Sequence, residues 1–535
     1  MNRDTICVTA LAAALVLFLA LPAAASPSVT IYPAPDKSLL SADYTLQIEG
    51  RDVPVYQFRV PPHDVTQATA VMNYAVPTDQ YFEKAAFAYF DMAGGTQVTV
   101  TYREPITAAK LLPVSAAATP LAIKGNTVRF VVPQPGIFTL QVNNQLVQAL
   151  HIFANPIEVS PPSPKDPNVL FFGPGAHQLS NLKVPPGKTI FYFGPGMHTI
   201  DNLVVHDGQT VYIAGGAVVR AVIREGEPFT VSKHSRGNAT FNMYKEPAIS
   251  LLGSGITFRG RGILDGSQTL GKFLLRIEGR DISLEGVILQ DPGTWTMPMW
   301  YSDHVSVSNI KLLGYRVNSD GMDIISSRDV TVQGCFIRTL DDNITIKTIA
   351  RDPNNRTPED EANNIVVQGN ILWVQGAHGL TVGTQEEAPV NAVTFNNIDI
   401  IHSLGRTPTL SVELNGSADV INTRFQNIRI DSSGNGFDKA GVNDLLLLNI
   451  SKGSIWQRQA DASRPLGKMR GVLLKNIQVR TSPTTSKVRI QLTGASEASD
   501  IEDVKFENVI VNGKPLSKAN AVVMEKFATN VTGLP

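Results

Sequence analysis

The chain has 535 residues, 43% of them hydrophobic and 17% charged, with a formal net charge of -1. So small a charge leaves no basic field for nucleic acid, which is excluded as a partner, and any charge selectivity must be local. The 42 glycines and 34 prolines point to many turns rather than long helices, and the length exceeds one ordinary core, which predicts two domains.

The chain opens with Arg3, an apolar run from Ile6 to Leu21, and small residues Ala23, Ala24, Ala25 and Ser26. The run is shorter than the ~20 residues that span a bilayer and ends in an A-x-A-like site. Residues 1–25 therefore read as a signal peptide, and the mature chain is expected to be secreted or periplasmic with no membrane contact. Cys7 leaves with this segment, so Cys335 cannot form an internal disulfide and is read as a buried core thiol.

Residues 27–155 contain short β-rich stretches separated by turn signals, among them Thr45–Ile48, Val55–Val60, Gln97–Tyr102, Val128–Val132, Phe138–Val142 and Leu150–Phe153. This pattern predicts an antiparallel β-sandwich. Residues 156–168 hold Pro156, Pro161, Pro162 and Pro164 and read as a linker, because proline cannot donate to a sheet and stiffens a connection.

Beyond it, Phe172-Gly173-Pro174-Gly175-Ala176-His177 recurs 21 residues later as Phe193-Gly194-Pro195-Gly196-Met197-His198. Strand phrases of one design then follow at Asp281-Ile282, His304-Val305, Asp329-Val330, Asn364-Ile365 and Ala392-Val393. Their second residues lie 23, 25, 35 and 28 positions apart. A stacked solenoid has this period, with inward apolar residues alternating with outward polar ones and asparagine and glycine at its turns. Residues 169–520 are therefore expected to form a right-handed parallel β-helix, its closing coils near Gly471–Leu474 and Val504–Phe506, with 521–535 as a tail. The fold class is all-β. The sandwich either caps the open end of the solenoid, the reading favoured here, or binds sugar.

Three phrases fall on successive coils: Asn318-Ser319-Asp320-Gly321-Met322-Asp323, Leu340-Asp341-Asp342-Asn343, and Gly376-Ala377-His378-Gly379-Leu380. Asp320 and Asp341 are 21 apart, which places them on adjacent rungs ~5 Å apart. Stacked carboxylates repel, so one keeps its proton while a neighbour stays charged, as glycoside hydrolysis requires. Asp and Asn also serve simply as turn caps, so the spacing leaves both readings open.

The order Asn-Ser-Asp-Gly-x-Asp, Asp-Asp-Asn-x-x-Ile-Lys and His-Gly-Leu-Thr-Val-Gly-Thr resembles the active-site series of the polygalacturonases, glycoside hydrolase family 28, and of the related dextranases and isopullulanases of family 49. Gly260-Arg261-Gly262-Ile263-Leu264-Asp265-Gly266 is similar to the family's structural turn. The resemblance covers residues 165 to 520. It implies an inverting enzyme in which Asp341 is the general acid, Asp320 and Asp342 activate water, and His378 supports them.

Two positions depart from the pattern. The family's Gly-His-Gly is Ala377-His378-Gly379, and the Arg-Ile-Lys phrase that binds the galacturonate carboxylate is replaced by a stretch containing Glu413. A glutamate there repels an anionic sugar, favouring a neutral, dextran-like glycan, with Lys347 and Arg406 as differently placed cations. The dextranase branch also carries a β-sandwich before its helix. Asn318, Trp295 and Trp300 complete the expected substrate contacts, the indoles as platforms for sugar rings. His177, His198, His206 and His402 show no zinc spacing, so neither metal nor cofactor is expected. The rival readings are a polysaccharide lyase and a non-catalytic carbohydrate-binding solenoid; the partner in each case is a polysaccharide or oligosaccharide, and the protein is expected to be a monomer.

Overall fold

The computed structural model describes residues 28–62, 81–116, 120–233, 240–403, 407–433, 442–452, 463–481 and 485–535; the expected signal segment and Arg406 lie outside them. No helix among these residues is long and apolar enough to cross a membrane. Strands dominate, in a large parallel sheet preceded by two smaller sheets.

The first domain is a sandwich because its strands alternate. Tyr44–Ile48 reads buried-exposed throughout, so one face meets water and the other a core of Leu46, Val98, Val100, Phe130, Leu140 and Ile152. Its second sheet breaks this rule. Glu83–Ala93 and Leu150–Pro156 are buried on both faces, which explains their near-continuous apolar sequences, and they pair parallel to each other, where an antiparallel sandwich was expected.

The middle coils contribute three short strands each, as in Arg328–Gln333, Phe336–Thr339 and Ile344–Thr348, which pair in parallel with their equivalents on the next coil, and later coils merge two of them into one long strand such as Val390–Ser403. Ile282, Val305, Val330, Ile365 and Val393 form one inward column, as their phrases suggest. Turns are held by stacked asparagines with left-handed backbones: Asn427, Asn476 and Asn508 pass amide hydrogen bonds from coil to coil at 2.9 Å. Coil formation therefore continues past residue 520. Ala521–Lys526 and Ala528–Thr532 pair with the preceding coils, correcting the expectation of a tail, because Val523, Ala528 and Val531 still pack on the core.

The sandwich does not sit on the end of the solenoid. Its Ala85, Phe87, Tyr89 and Phe153 pack along a flank built from Val218, Ile263, Ile288, Leu313, Phe336 and Trp373, outward residues of successive coils. Buried cations fasten this seam. Arg261 pairs with Asp91 at 3.0 Å, both 1% exposed, and Arg338 lies 4.0 Å over the Trp373 ring while donating to the Val147 carbonyl. The expectation of a cap is thus corrected to a lateral brace: the two-sided apolar strands need a second apolar surface, and the flank supplies it.

Candidate functional site

The site grows from two registers on one face of the solenoid. Strands Met297–Trp300, Met322–Ile325, Ile344–Thr348, Leu380–Glu386 and Leu410–Leu414 lie side by side. Met322, Ile324, Ile344, Ile346, Leu380 and Val382 point into the core. The alternating residues must then point outward: Asp323, Thr345, Lys347, Thr381 and Glu413 share this outer face with Trp300.

The second register lies in the turn before these strands. Because Met322 pairs with Ile344 and Ile344 with Leu380, the residues two before them, Asp320, Asp342 and His378, stack in one column. Backbone bonds confirm it: the Gly321 amide donates to the Asp342 carbonyl at 2.8 Å and the Asn343 amide to the His378 carbonyl at 2.9 Å. The 21-residue spacing aligned Asp320 with Asp341, whereas the register aligns it with Asp342, one residue later. Asp341 stands beside the column. The Asn318 amide donates to its carboxylate at 2.9 Å, and the Asp342 amide does so at 3.2 Å. Thr339 fixes the same turn by donating to the Asp341 carbonyl, and Asn343 donates to Thr339 at 2.7 Å.

Charge is arranged in two groups. At one end Lys347 lies 2.6 Å from Asp323 and 3.8 Å from Asp320, all three nearly inaccessible to water. At the other, His378 is clamped between Asp342 at Nδ1 and Glu413 at Nε2, each at 2.8 Å. Burial, reinforced by Asp323 and Asp341, drives Asp320 well above the usual carboxylate range despite Lys347. Burial also raises Asp323, although Lys347 opposes it. Burial and the neighbouring Asp342 push Asp341 up to about 6. Asp342 is the exception: burial works against its charge, but His378 holds it below the ordinary value. Burial likewise disfavours the imidazolium, yet Asp342 and Glu413 pull His378 well above its ordinary value. Below about pH 6, Asp341 thus keeps its proton beside an ionised Asp342, a pairing that glycosidic cleavage can use.

The expected residues thus converge, though not all as expected. Lys347 and Glu413 are already engaged by Asp323 and His378, so neither is an unpaired charge facing the cleft. Asn318 reaches Asp341 through its backbone. Trp295 and Trp300 are half-buried, their rings 6.3 Å apart, and Trp295 stacks on Phe273 at 5.5 Å with Lys347 4.4 Å over its face. Arg406 lies outside the described residues. Sequence reading passed over Asp323, which alternation marks: it sits between inward Met322 and Ile324 and so had to face the cleft. Away from the column, Asp303, His304 and Asp329 bring donor atoms within 4.8 Å of one another, half-buried or exposed.

Residues 253–438 match the model of Glycosyl hydrolases family 28. A probable endopolygalacturonase D of Aspergillus flavus is 32% identical over 127 residues, 23% of this chain and 22% of that protein. One of Neosartorya fischeri is 28% identical over 116 residues, 21% of each. The chain thus spans about a fifth of the length of these relatives. Dex49A from Penicillium minioluteum shares the fold over 94% of this chain and 96% of that one, with a TM-score of 0.56 and 12% identity. The stacked carboxylates therefore lie within the segment that matches the family 28 model, residues 253–438, carried on a parallel β-helix of the kind seen in Dex49A.

Proposed function

We propose that this protein hydrolyses glycosidic bonds of a polysaccharide or oligosaccharide with inversion, Asp341 donating the proton to the leaving oxygen. One observation carries the reading: Asp320, Asp342 and His378 stack on three successive coils with Asp341 held beside them. Asp342, kept ionised by His378, is the carboxylate best suited to activate water. Asp320 can join it only after releasing its own proton, with Lys347 as the adjacent cation that makes this possible. Glu413 acts through His378, holding the imidazole charged and oriented, and is a positioning residue.

The substrate unit at the point of cleavage is neutral. Among the described residues the outer face at Glu413 offers no unpaired cation, since Lys347 is spent on Asp323. Trp300, half-buried, presents the apolar surface on which such a ring stacks, and Trp295, packed between Phe273 and Lys347, backs it. The test is to incubate wild type and Asp341→Asn with dextran, pullulan, polygalacturonate, rhamnogalacturonan and an arabinan and to follow new reducing ends. Cleavage of a neutral glycan by the wild type alone supports the reading; cleavage of polygalacturonate in preference, or equal activity of the variant, overturns it.

A further inference from the structure

The aromatic surface does not stop at Trp300. Its ring lies 6.0 Å from that of Tyr301, and the Arg351 guanidinium lies 3.9 Å over the Tyr301 face. Tyr301 and Ser326 follow the strands Met297–Trp300 and Met322–Ile325, so this track crosses the outer face from the Asp320 column to the far end of the strands. There it opens into a pocket of about 350 Å³ lined by Tyr301, Arg328 and Arg351 among others.

The charges of this pocket are unequally matched. Glu278 is taken up by Arg276 at 2.5 Å, and Asp303 by His304 at 2.5 Å and Arg280 at 3.6 Å. Arg328 donates to the Pro358 carbonyl at 3.4 Å and Arg351 rests on Tyr301, and among the described residues the one carboxylate on which both act is the exposed Glu359. Glu359 is the remaining acid of the lining, which leaves two guanidinium groups against one carboxylate. Guanidinium is weakly hydrated and forked, and it recognises planar or tetrahedral oxyanions better than neutral hydroxyls.

We propose that this pocket is a distal subsite for an acidic sugar unit, its carboxylate or sulfate ester held by Arg328 and Arg351 while its ring lies against Tyr301. The inference rests on the glycan-cleft reading and extends it: the bond cut joins neutral units, and an anionic unit further along the same chain anchors the substrate. A heteropolysaccharide with interspersed acidic residues has this chemistry, and a uniform neutral glucan does not.

Binding is measured in the Asp341→Asn protein, which leaves the pocket intact and prevents turnover. A disaccharide ending in glucuronic acid, its sulfated counterpart and the neutral disaccharide are titrated at low salt and at 0.5 M salt. At least tenfold tighter binding of one or both acidic probes is expected. Which one binds more tightly separates carboxylate from sulfate. High salt and the added pair Arg328→Gln and Arg351→Gln should each reduce the preference below threefold, with an unchanged melting temperature showing that the fold is kept. Equal binding of all three probes, no binding of the acidic ones, or a preference that survives the double substitution overturns the subsite. Wild-type hydrolysis is scored separately: failure of the hydrolase reading shows as no cleavage of any glycan, failure of the subsite as no preference for the anion.

Discussion

At the scale of single residues, the proposed chemistry depends on one turn in which two consecutive aspartates experience opposite fields. Asp341 faces Asp342 and a buried surround, while Asp342 faces His378, so the first is raised to about 6 and the second is lowered. The proposed mechanism needs Asp341 protonated and Asp342 ionised, so it predicts that kcat/KM falls as pH rises through about 6. Asp341→Asn should cut kcat by ~10²-fold or more, the contribution of a general acid. The same substitution has a stability signature. Below pH 3.8 the acid is protonated folded or unfolded; as pH rises to about 6 the folded state retains more protons, so stability falls and stays lower above it. Asparagine removes that penalty, so at pH 8 the variant should melt higher than the wild type, by at most about 3 kcal/mol of added stability. Melting curves at pH 4 and pH 8 check it, since the gain should vanish at the lower value.

At the scale of elements, the column works only if coils stack at strand spacing, and glycine makes this possible where a side chain would not fit. A Cβ at Gly321 would lie 2.4 Å from the Asn343 carbonyl oxygen, wedged between the coils that present Asp320 and Asp342. Gly321→Ala should cost ~1–3 kcal/mol through overpacking and, on the proposed mechanism, reduce kcat more than KM, because it displaces Asp320 and Asp342 rather than the aromatic surface at Trp300. The turn on another corner makes a comparison remote from chemistry. Asn476 has φ of 55° and sits in the middle of an amide ladder, donating to Asn427 and accepting from Asn508. Asn476→Ala loses both bonds and strains the backbone, so about 2–3 kcal/mol should disappear from the unfolding free energy while kcat stays unchanged.

At the scale of the whole molecule, the sandwich and solenoid share an apolar seam studded with cations whose partners lie across it. Arg261 and Asp91 are both 1% exposed, and removal of the carboxylate leaves a guanidinium buried without its counter-charge. Asp91→Ala should therefore destabilise by about 3–5 kcal/mol. Because the strands at the seam are buried on both faces, neither domain can unfold without exposing the other. Calorimetry should show one transition in the wild type, shifted down in the variant; two separated transitions would show the seam to be dispensable.

The sequence alone determined the periodic part of this protein. Coil phrases such as Asp329-Val330 and Asn364-Ile365 announced inward columns because a strand's side chains alternate whatever its surroundings, and the acidic phrases lay close enough along the chain to be placed on neighbouring coils. What it could not determine was register. A shift of one residue decides whether Asp341 or Asp342 stacks on Asp320, and that shift is set by inter-coil hydrogen bonds. Nor could it assign partners between segments far apart in sequence. That Glu413 grips His378, that Lys347 is spent on Asp323, and that the sandwich braces the flank rather than closing the end are consequences of packing. Local alternation is written in neighbouring residues; charge compensation and domain placement exist only once distant strands share one face.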